Sequence, residues 1–250
     1  MKNSSAAELI RNGHVFLGIE LGSTRIKAVL IDDMCRTLAQ GSYGWENRFE
    51  DGYWTYHQEE IWRGLRSAYT ALRYHTEEQY GITIRYVDAI GISGMMHGYL
   101  VFDAEGNLLV PFRTWRNNTT EEAANHLTKA FSFNIPERWS VAHLYQALLS
   151  GEEHTEHVNF MTTLSGYIHW RLSEKKVLGI DDASGMFPID PGTRTYHRDM
   201  LSIFSALPAS KKLRKELVEI LPRVQTAGTE AGRLTQEGSS LLDESGNLEA

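Results

Sequence analysis

A short segment near the start of the chain combines an acid, a turn of small residues and a cation. It reads Gly18-Ile19-Glu20-Leu21-Gly22-Ser23-Thr24-Arg25-Ile26-Lys27. Small residues such as Gly22, Ser23 and Thr24 let the backbone approach phosphate oxygens and direct N–H groups at them. A carboxylate such as Glu20 can hold Mg²⁺ through its waters, and a cation such as Lys27 can neutralise developing charge. The segment therefore predicts a phosphate site, and the alternative is an ordinary hairpin turn.

A second segment with chemical potential follows an apolar run. It reads Gly91-Ile92-Ser93-Gly94-Met95-Met96-His97-Gly98. A histidine can donate or accept a hydrogen bond to a hydroxyl group, which suits recognition of a polyol. The alternative is that His97 is satisfied within its own loop.

The elements that must position these residues follow from hydrophobic periodicity. Apolar runs at 15–19 and 26–31 predict a β-hairpin around the first segment, with a third strand at 37–43. A stripe at three- and four-residue spacing predicts a helix over 58–80, which Gly81 ends. Further strands are predicted at 87–93, 99–102 and 177–180, and further helices at 121–131, 141–149 and 162–172. Such mixing predicts an α/β domain.

The composition narrows the class of protein. The 250 residues include 25 Lys+Arg, 32 Asp+Glu and 42% hydrophobic residues, for a formal net charge of -7. This composition supports a folded core and excludes disordered, collagen-like and membrane classes. Basic residues form no long run, which argues against a nucleic-acid partner. A single cysteine, Cys35, and the lack of a recognisable signal or membrane-spanning segment predict a cytoplasmic location.

Together the two segments resemble the FGGY family of carbohydrate kinases, in particular its xylulokinase-like members. That family opens with a similar Gly-rich hairpin and carries a Met-His-Gly segment. Further similar stretches follow in order at 53–62, 112–118, 166–172 and 181–185. Ordered partial matches over about 15–222 are much more specific than one short Gly-rich motif.

The resemblance implies a fold and a domain organisation. The expected fold is an actin-like ATPase (ribonuclease-H-like) domain, with a mixed five-stranded sheet and helices on both faces. We expect an N-terminal extension at 1–13, the sugar-kinase domain at 14–224, and the start of a linker or second-domain segment at 225–250. The second domain itself is expected to be absent.

The resemblance also implies cofactors and site residues. ATP and Mg²⁺ are the expected cofactors. Gly22, Ser23 and Thr24 would line the phosphate turn, Glu20 would hold Mg²⁺ through water, and Lys27 would be a phosphate partner.

On the sugar side, Met96 and His97 would face the substrate. Trp115 would pack on the apolar face of the sugar, and Arg138 would contact a ketose. The alternatives are a core tryptophan at 115 and a solvated arginine at 138. Asp182 is expected to be mainly structural.

Three departures from the family pattern limit this transfer of roles. Glu20 stands where an Asp is usual, and the segment Trp115-Arg116-Asn117-Asn118 lacks the family's Asn-Asp-Arg order. No general-base aspartate is apparent, because Asp243 is predicted to lie in a surface turn. We expect the base beyond Ala250 and expect the fragment alone to be inactive.

The predicted function is ATP-dependent phosphorylation of a ketopentose such as xylulose, or of a related ketose or polyol. The alternative is a non-catalytic sugar-binding or regulatory actin-like module. The expected partners are a small-molecule sugar and, in the full-length protein, a second copy in a homodimer. The stretch containing His154 and His157 is predicted to be solvated, and Glu152 and Glu153 are predicted to lie near a helix start.

Overall fold

The computed structural model describes residues 5–250. The strands are β1 (Phe16–Leu21), β2 (Arg25–Ile31), β3 (Thr37–Gly44), β4 (Arg48–Glu50), β5 (Tyr53–Thr55), β6 (Ala89–Gly94), β7 (Leu100–Phe102), β8 (Phe160–Thr162), β9 (Val177–Gly179), β10 (Ile189–Asp190), β11 (Thr195–Tyr196) and β12 (Arg223–Gln225). The α-helices are α1 (Ala6–Arg11), α2 (Gln58–Tyr80), α3 (Glu121–Phe131), α4 (Ser140–Leu149), α5 (Leu164–Ser173), α6 (Ile180–Ala183), α7 (Arg198–Ala206), α8 (Leu217–Ile220) and α9 (Gln236–Leu242).

The central sheet has the strand order β3-β2-β1-β6. β1, β2 and β3 are antiparallel neighbours, whereas β6 runs parallel to β1 with Ile92 beside Ile19. The mixed α/β class is therefore confirmed, but this sheet has four strands where five were expected. The physical reason is that β9 pairs with β12 in a separate two-stranded sheet. A cavity of about 270 Å³ that is lined by Ile92 and Leu178 lies between β6 and β9.

The helices that pack on the central sheet lie on one of its faces. Alternation along β1 and β2 buries Leu17, Ile19 and Ile26 against this face. Helix α2 approaches so closely that a Cβ at Gly41 would lie 2.1 Å from the Ala68 carbonyl oxygen. The opposite face lines an open groove of about 940 Å³. We expected helices on both faces, and within residues 5–250 we find α2 and α5 on the same one.

Helix α2 shows why the periodicity was informative. Its apolar positions, which include Leu65, Ala68 and Leu72, are buried in the core. The helix ends where Gly81 adopts φ +66°, a left-handed conformation that glycine adopts without strain. The predicted helix over 58–80 is confirmed, and the predicted helices at 121–131, 141–149 and 162–172 are confirmed to within two residues.

The first and last described segments of the chain, 5–13 and 225–250, pack on the domain. The predicted extension at 1–13 includes residues 1–4, which lie outside the described residues. Beyond them, α1 starts at a capping box of Ser5 and Glu8, and its Ile10 is buried in the core.

The segment 225–250, where we expected the start of a linker or second-domain segment, also packs on the domain. Leu242 and Leu248 are buried in the same core as the central sheet. The predicted turn is present, since the Gly246 N–H donates to the Asp243 carbonyl and residues 244–246 are exposed. Asp243 itself is buried, however, and its carboxylate accepts the N–H groups of Asn247 and Leu248. Among the helices described, none is both long and apolar enough to cross a membrane.

Candidate functional site

Five of the predicted site residues meet at one cavity of about 270 Å³. Its lining comprises Ser23, Met95, Met96, His97, Trp115 and Arg138. These residues come from four loops: the turn between β1 and β2, the loop after β6, the loop before α3 and the loop before α4. The topology brings the first two together because β1 and β6 are parallel neighbours whose carboxyl ends meet at one sheet edge.

The turn at residues 22–24 is held through its backbone carbonyls. Trp45 donates its indole N–H to the Gly22 carbonyl at 2.7 Å, and Tyr56 donates its hydroxyl to the Ser23 carbonyl at 2.6 Å. A Cβ at position 22 would lie 3.1 Å from the Arg25 carbonyl oxygen, so a side chain there would crowd the turn. Within residues 5–250, the N–H groups of the exposed Ser23 and Thr24 have no hydrogen-bond partner.

Glu20 and Lys27 lie beside the turn but do not line the cavity that Ser23 lines. They sit opposite each other in β1 and β2, where Lys27 Nζ and Glu20 Oε2 are 3.0 Å apart. Both side chains are about half exposed and line the open groove on the other face of the sheet.

The residues beside the turn offer Mg²⁺ one carboxylate ligand, Glu20. Mg²⁺ usually keeps several waters and binds one or two carboxylates together with substrate phosphates. Glu20 Oε1 points toward the turn, 3.8 Å from where a Cβ of Gly22 would lie, while Oε2 contacts Lys27. The described residues contain no group of three or more His, Cys, Asp and Glu side chains that could hold a metal by themselves. The site therefore fits an ion shared with phosphate oxygens.

The loop that carries His97 has an unusual backbone. His97 adopts φ +67° and Gly98 φ +86°. The Gly98 N–H donates to the Arg138 carbonyl at 3.3 Å, and a Cβ on Gly98 would lie 2.7 Å from the Arg113 carbonyl oxygen. A non-glycine residue in the left-handed region costs free energy, and such strain is common at functional sites.

The imidazole of His97 has a defined tautomer. Its Nδ1 lies 3.2 Å from the Gly185 carbonyl oxygen, which can only accept, so Nδ1 carries the proton and Nε2 is an acceptor. Burial lowers the pKa of His97. The positive charge of Arg138 lowers it further, whereas the hydrogen bond to the Gly185 carbonyl raises it. A Cβ at Gly185 would lie 2.5 Å from Nδ1, so only glycine leaves room for this ring. The lowered pKa favours the neutral form of His97.

The apolar part of the cavity comes from Trp115 and Met96, each 43% exposed. Trp115 is therefore not a core tryptophan. Asn117 fixes this loop, because its amide nitrogen donates to the carbonyls of Trp54 and Thr114 and its oxygen accepts from the Trp54 N–H. Arg138 is exposed, and no ion pair to it is found in the described part of the chain.

A buried polar network lies behind the His97 loop, and the sequence analysis missed it. Arg113 forms a bidentate ion pair with Glu152, in which Nη1 and Oε1 are 3.1 Å apart. His154 lies 2.8 Å from the Tyr99 hydroxyl and is largely buried. The predicted helix start at Glu152 and Glu153 is confirmed, since Glu152 precedes a 3-10 helix at Glu153–His157. The solvated position predicted for His154 was wrong, because its ring is buried against Tyr99. The polar composition of the stretch gave no sign of these long-range partners.

Asp182 lies near this cavity but lines a different one. Its Oδ2 accepts from Thr163 Oγ1 at 2.7 Å and from Ser165 Oγ. Burial raises the pKa of Asp182, opposed by the hydrogen bonds from these two hydroxyls. Its carboxylate faces the cavity between β6 and β9, together with Thr226 and Thr229.

Comparison with known proteins assigns the family. A family model described as the N-terminal domain of FGGY family carbohydrate kinases matches residues 15–244. The chain belongs to this family. The FGGY match extends beyond residue 224, in agreement with the packing of α9 on the domain.

The relatives of this FGGY domain are distant and much longer. The chain is 22% identical over 202 residues to a xylulose kinase of Klebsiella pneumoniae, covering 75% of this chain and 39% of that protein. The chain is also 18% identical over 243 residues to a xylulose kinase of Staphylococcus xylosus. This match covers 93% of this chain and 47% of that protein. The chain therefore spans less than half the length of these curated relatives.

Solved structures support the actin-like fold. A xylulose kinase structure from Brucella ovis superposes with a TM-score of 0.75 at 20% identity, covering 90% of this chain and 46% of that one. Glycerol kinase from Plasmodium falciparum superposes with a TM-score of 0.67 at 14% identity, covering 90% and 45%. The predicted family and fold class are confirmed.

Proposed function

We propose that this chain forms the N-terminal half of an ATP-dependent kinase that phosphorylates a hydroxyl of a ketopentose such as xylulose, or of a related ketose or polyol. The observation that carries the proposal is the shared cavity, in which Ser23 of the turn meets His97, Trp115 and Arg138. Phosphoryl transfer depends mainly on positioning and charge stabilisation, so a phosphate turn beside polyol-binding groups is the arrangement it needs.

The side chains of the cavity suit a sugar. Neutral His97 offers Nε2 as an acceptor for a hydroxyl, while the guanidinium of Arg138 donates to sugar oxygens. Trp115 and Met96 offer apolar surface to the C–H groups of the ring or chain. The two curated relatives are xylulose kinases, which supports a ketopentose as the first substrate to test.

The turn would hold the phosphate groups of ATP. The N–H groups of Ser23 and Thr24, which have no partner among residues 5–250, can donate to phosphate oxygens. Glu20 is the residue that would hold Mg²⁺ through water, and Lys27 is the nearby cation available to a phosphate. When bound, Mg²⁺ supplies charge neutralisation on the phosphate oxygens.

The catalytic base is proposed to lie outside these 250 residues. Among the described residues, no carboxylate lines the cavity with His97. The volume of about 270 Å³ is at the small end for a ligand site, in keeping with one wall of a larger cleft. The relatives are also about twice as long as this chain. We therefore expect the 250-residue chain alone to bind sugar without transferring phosphate.

A non-catalytic sugar-binding module is the second candidate function. The ion pair between Glu20 and Lys27 favours it, because each group already has a partner of opposite charge. The cytoplasmic location and the homodimer of a full-length protein stay predictions.

The deciding experiment uses the longest natural chain that contains these residues. It is assayed with ATP, Mg²⁺ and a panel of ketoses and polyols, and ADP and sugar phosphate are both measured. We expect turnover of at least one ketose, and we expect Arg138→Met to raise its KM about 10-fold through a lost charged hydrogen bond. Arg214→Met is the matched control, because Arg214 pairs with Glu156 on the exposed surface.

The outcomes separate the two functions. Sugar binding without turnover of any substrate by the longer chain would favour the binding module. Turnover by the isolated 250-residue chain would contradict the proposed location of the base.

A further inference from the structure

The conformation of the turn at residues 22–24 depends on two buried aromatic residues. Trp45 and Tyr56 are 3% and 1% exposed, and their rings stack with centroids 4.1 Å apart and an interplanar angle of 29°. Each side chain has a single polar group, which donates a hydrogen bond to a backbone carbonyl of the turn. Stacking and burial hold both side chains in one orientation, so the two donors are fixed.

Peptide geometry converts these two hydrogen bonds into an orientation for two N–H groups. In a trans peptide the C=O of one residue and the N–H of the next point in opposite directions. Trp45 binds the Gly22 carbonyl from the core side, so the Ser23 N–H of the same peptide points away from the core. Tyr56 does the same to the Ser23 carbonyl, and thereby turns the Thr24 N–H outward.

We propose that Trp45 and Tyr56 are positioning residues that direct the Ser23 and Thr24 N–H groups at the phosphate groups of the nucleotide. The inference rests on the proposed function and adds residues that would never touch the substrate. It accounts for two adjacent, exposed residues whose N–H groups have no hydrogen-bond partner in the described part of the chain, and of which Ser23 lines the cavity.

The same aromatic residues connect the two sides of the cavity. Tyr56 lies 6.5 Å from the ring of Phe112, centroid to centroid. Phe112 lies directly under the His97 loop, since a Cβ on Gly98 would lie 2.8 Å from its Cε2 atom. A displacement of Tyr56 would therefore be transmitted to the sugar side as well as to the turn.

The test is an NMR titration of the ¹⁵N-labelled 250-residue chain with tripolyphosphate, a phosphate chain without base or ribose. In the wild type we expect the Ser23 and Thr24 amide resonances to shift on binding. Tyr56→Phe keeps the ring and removes the hydroxyl, and Trp45→Phe keeps an aromatic ring and removes the indole N–H. Each should weaken tripolyphosphate binding about 5- to 10-fold, with the Thr24 shift reduced most in the first variant and the Ser23 shift in the second.

A matched control makes the same chemical change elsewhere. Tyr80 donates its hydroxyl to the Leu38 carbonyl at 3.2 Å, at the end of β3 remote from the turn. Tyr80→Phe should leave the affinity for tripolyphosphate unchanged. Far-UV circular dichroism and melting curves check that all three variants fold.

Hydrogen exchange in the wild type provides a measurement that needs no variant. The Ser23 and Thr24 amides should exchange rapidly, while the Gly22 amide, which donates to the Arg25 carbonyl at 3.0 Å, should be protected. Protection of Ser23 and Thr24 would overturn the inference, because their N–H groups would then point inward.

The remaining outcomes distinguish this inference from the proposed function. Normal tripolyphosphate binding by Tyr56→Phe and Trp45→Phe would overturn the positioning role and leave the phosphate turn in place. No shift at Ser23 and Thr24 in the wild type would remove the phosphate site, and the proposed function would lose its nucleotide side.

Discussion

The two sides of the cavity are held in different ways. The turn wall, residues 22–24, rests on the neutral donors Trp45 and Tyr56. The loop wall, residues 95–98, rests on titratable and charged groups, among them the buried ion pair of Arg113 and Glu152. Neutral donors keep their bonds at all moderate pH values, whereas a charged network responds to protonation. The turn wall should therefore be insensitive to pH and the loop wall sensitive to it.

The largest effect is expected from breaking the ion pair of the loop wall. Glu152→Ala leaves the guanidinium of Arg113, whose side chain is 7% exposed, without its carboxylate. Removing one partner of a buried pair typically costs about 3–5 kcal/mol, so the free energy of unfolding should fall by about 3 kcal/mol in a urea titration. Glu156→Ala, which breaks an exposed pair with Arg214, should cost less than about 0.5 kcal/mol. Similar losses in both variants would contradict the comparison.

The second effect is a pH dependence that arises behind the loop wall, where the buried His143 of α4 stacks on Tyr99. Burial lowers the pKa of His143 to about 3, with smaller contributions from Arg113 and His97. Below pH 6.5 the unfolded chain binds a proton that the folded chain excludes, so stability falls as the pH falls toward 3. The slope is about 1.4 kcal/mol per pH unit, or about 2 kcal/mol between pH 7 and pH 5.

Substitution of His143 should remove this pH dependence. Within the described residues neither ring nitrogen of His143 has a hydrogen-bond partner, so His143→Leu leaves no polar atom unsatisfied. Urea titrations at pH 5 and 7 should then differ by about 2 kcal/mol less than in the wild type. His157→Leu, at an exposed histidine, is the control. An unchanged difference in His143→Leu would assign the acid sensitivity to other groups.

The third prediction compares glycine-to-alanine substitutions at two positions of positive φ, one with a close contact at the added Cβ and one without. Gly98 and Gly246 both have positive φ, +86° and +70°, but only Gly98 has backbone atoms where a Cβ would lie. Gly98→Ala should therefore lower stability by about 1–2 kcal/mol more than Gly246→Ala, and should also weaken sugar binding. Melting curves and a sugar titration measure the two quantities. Equal losses would show that the loop wall moves aside easily.

The smallest effect on stability is expected beside the turn wall. The ion pair of Lys27 and Glu20 is half exposed, so Lys27→Met should change the free energy of unfolding by at most about 0.5 kcal/mol. Its affinity for tripolyphosphate should nevertheless fall severalfold if Lys27 contacts phosphate. Unchanged affinity would restrict Lys27 to its pair with Glu20.

The sequence predicted the turn wall better than the loop wall, for a physical reason. The hairpin of β1 and β2 and helix α2 are specified by local patterns, namely alternation, helical spacing and the glycine at position 81. The Met-His segment was recognised from its residue types, and its place next to the turn follows from parallel neighbouring strands. These elements could be predicted because their determinants lie within one stretch of chain.

The supports of the loop wall depend on residues far apart in the chain. Arg113 and Glu152 are 39 positions apart, and His97 and Gly185 are 88 apart. Neither pair has a local pattern, so Glu152 showed no sign of its partner, and the polar stretch containing His154 and His157 was predicted to be solvated. The hydrogen bond from Tyr56 to the turn was missed for the same reason, since a tyrosine before a helix has no visible partner 33 positions earlier.

The room left by Gly185 under the imidazole of His97 bears on how genetic screens of this protein should be interpreted. Any side chain at position 185 would push against the ring without ever meeting a ligand. Under the proposed function, a screen scored only by growth on a sugar would rank position 185 with the proposed substrate-binding residues. Parallel scoring for protein abundance would separate loss of the fold from displacement of the His97 ring, since a Cβ at position 185 would lie 2.5 Å from Nδ1.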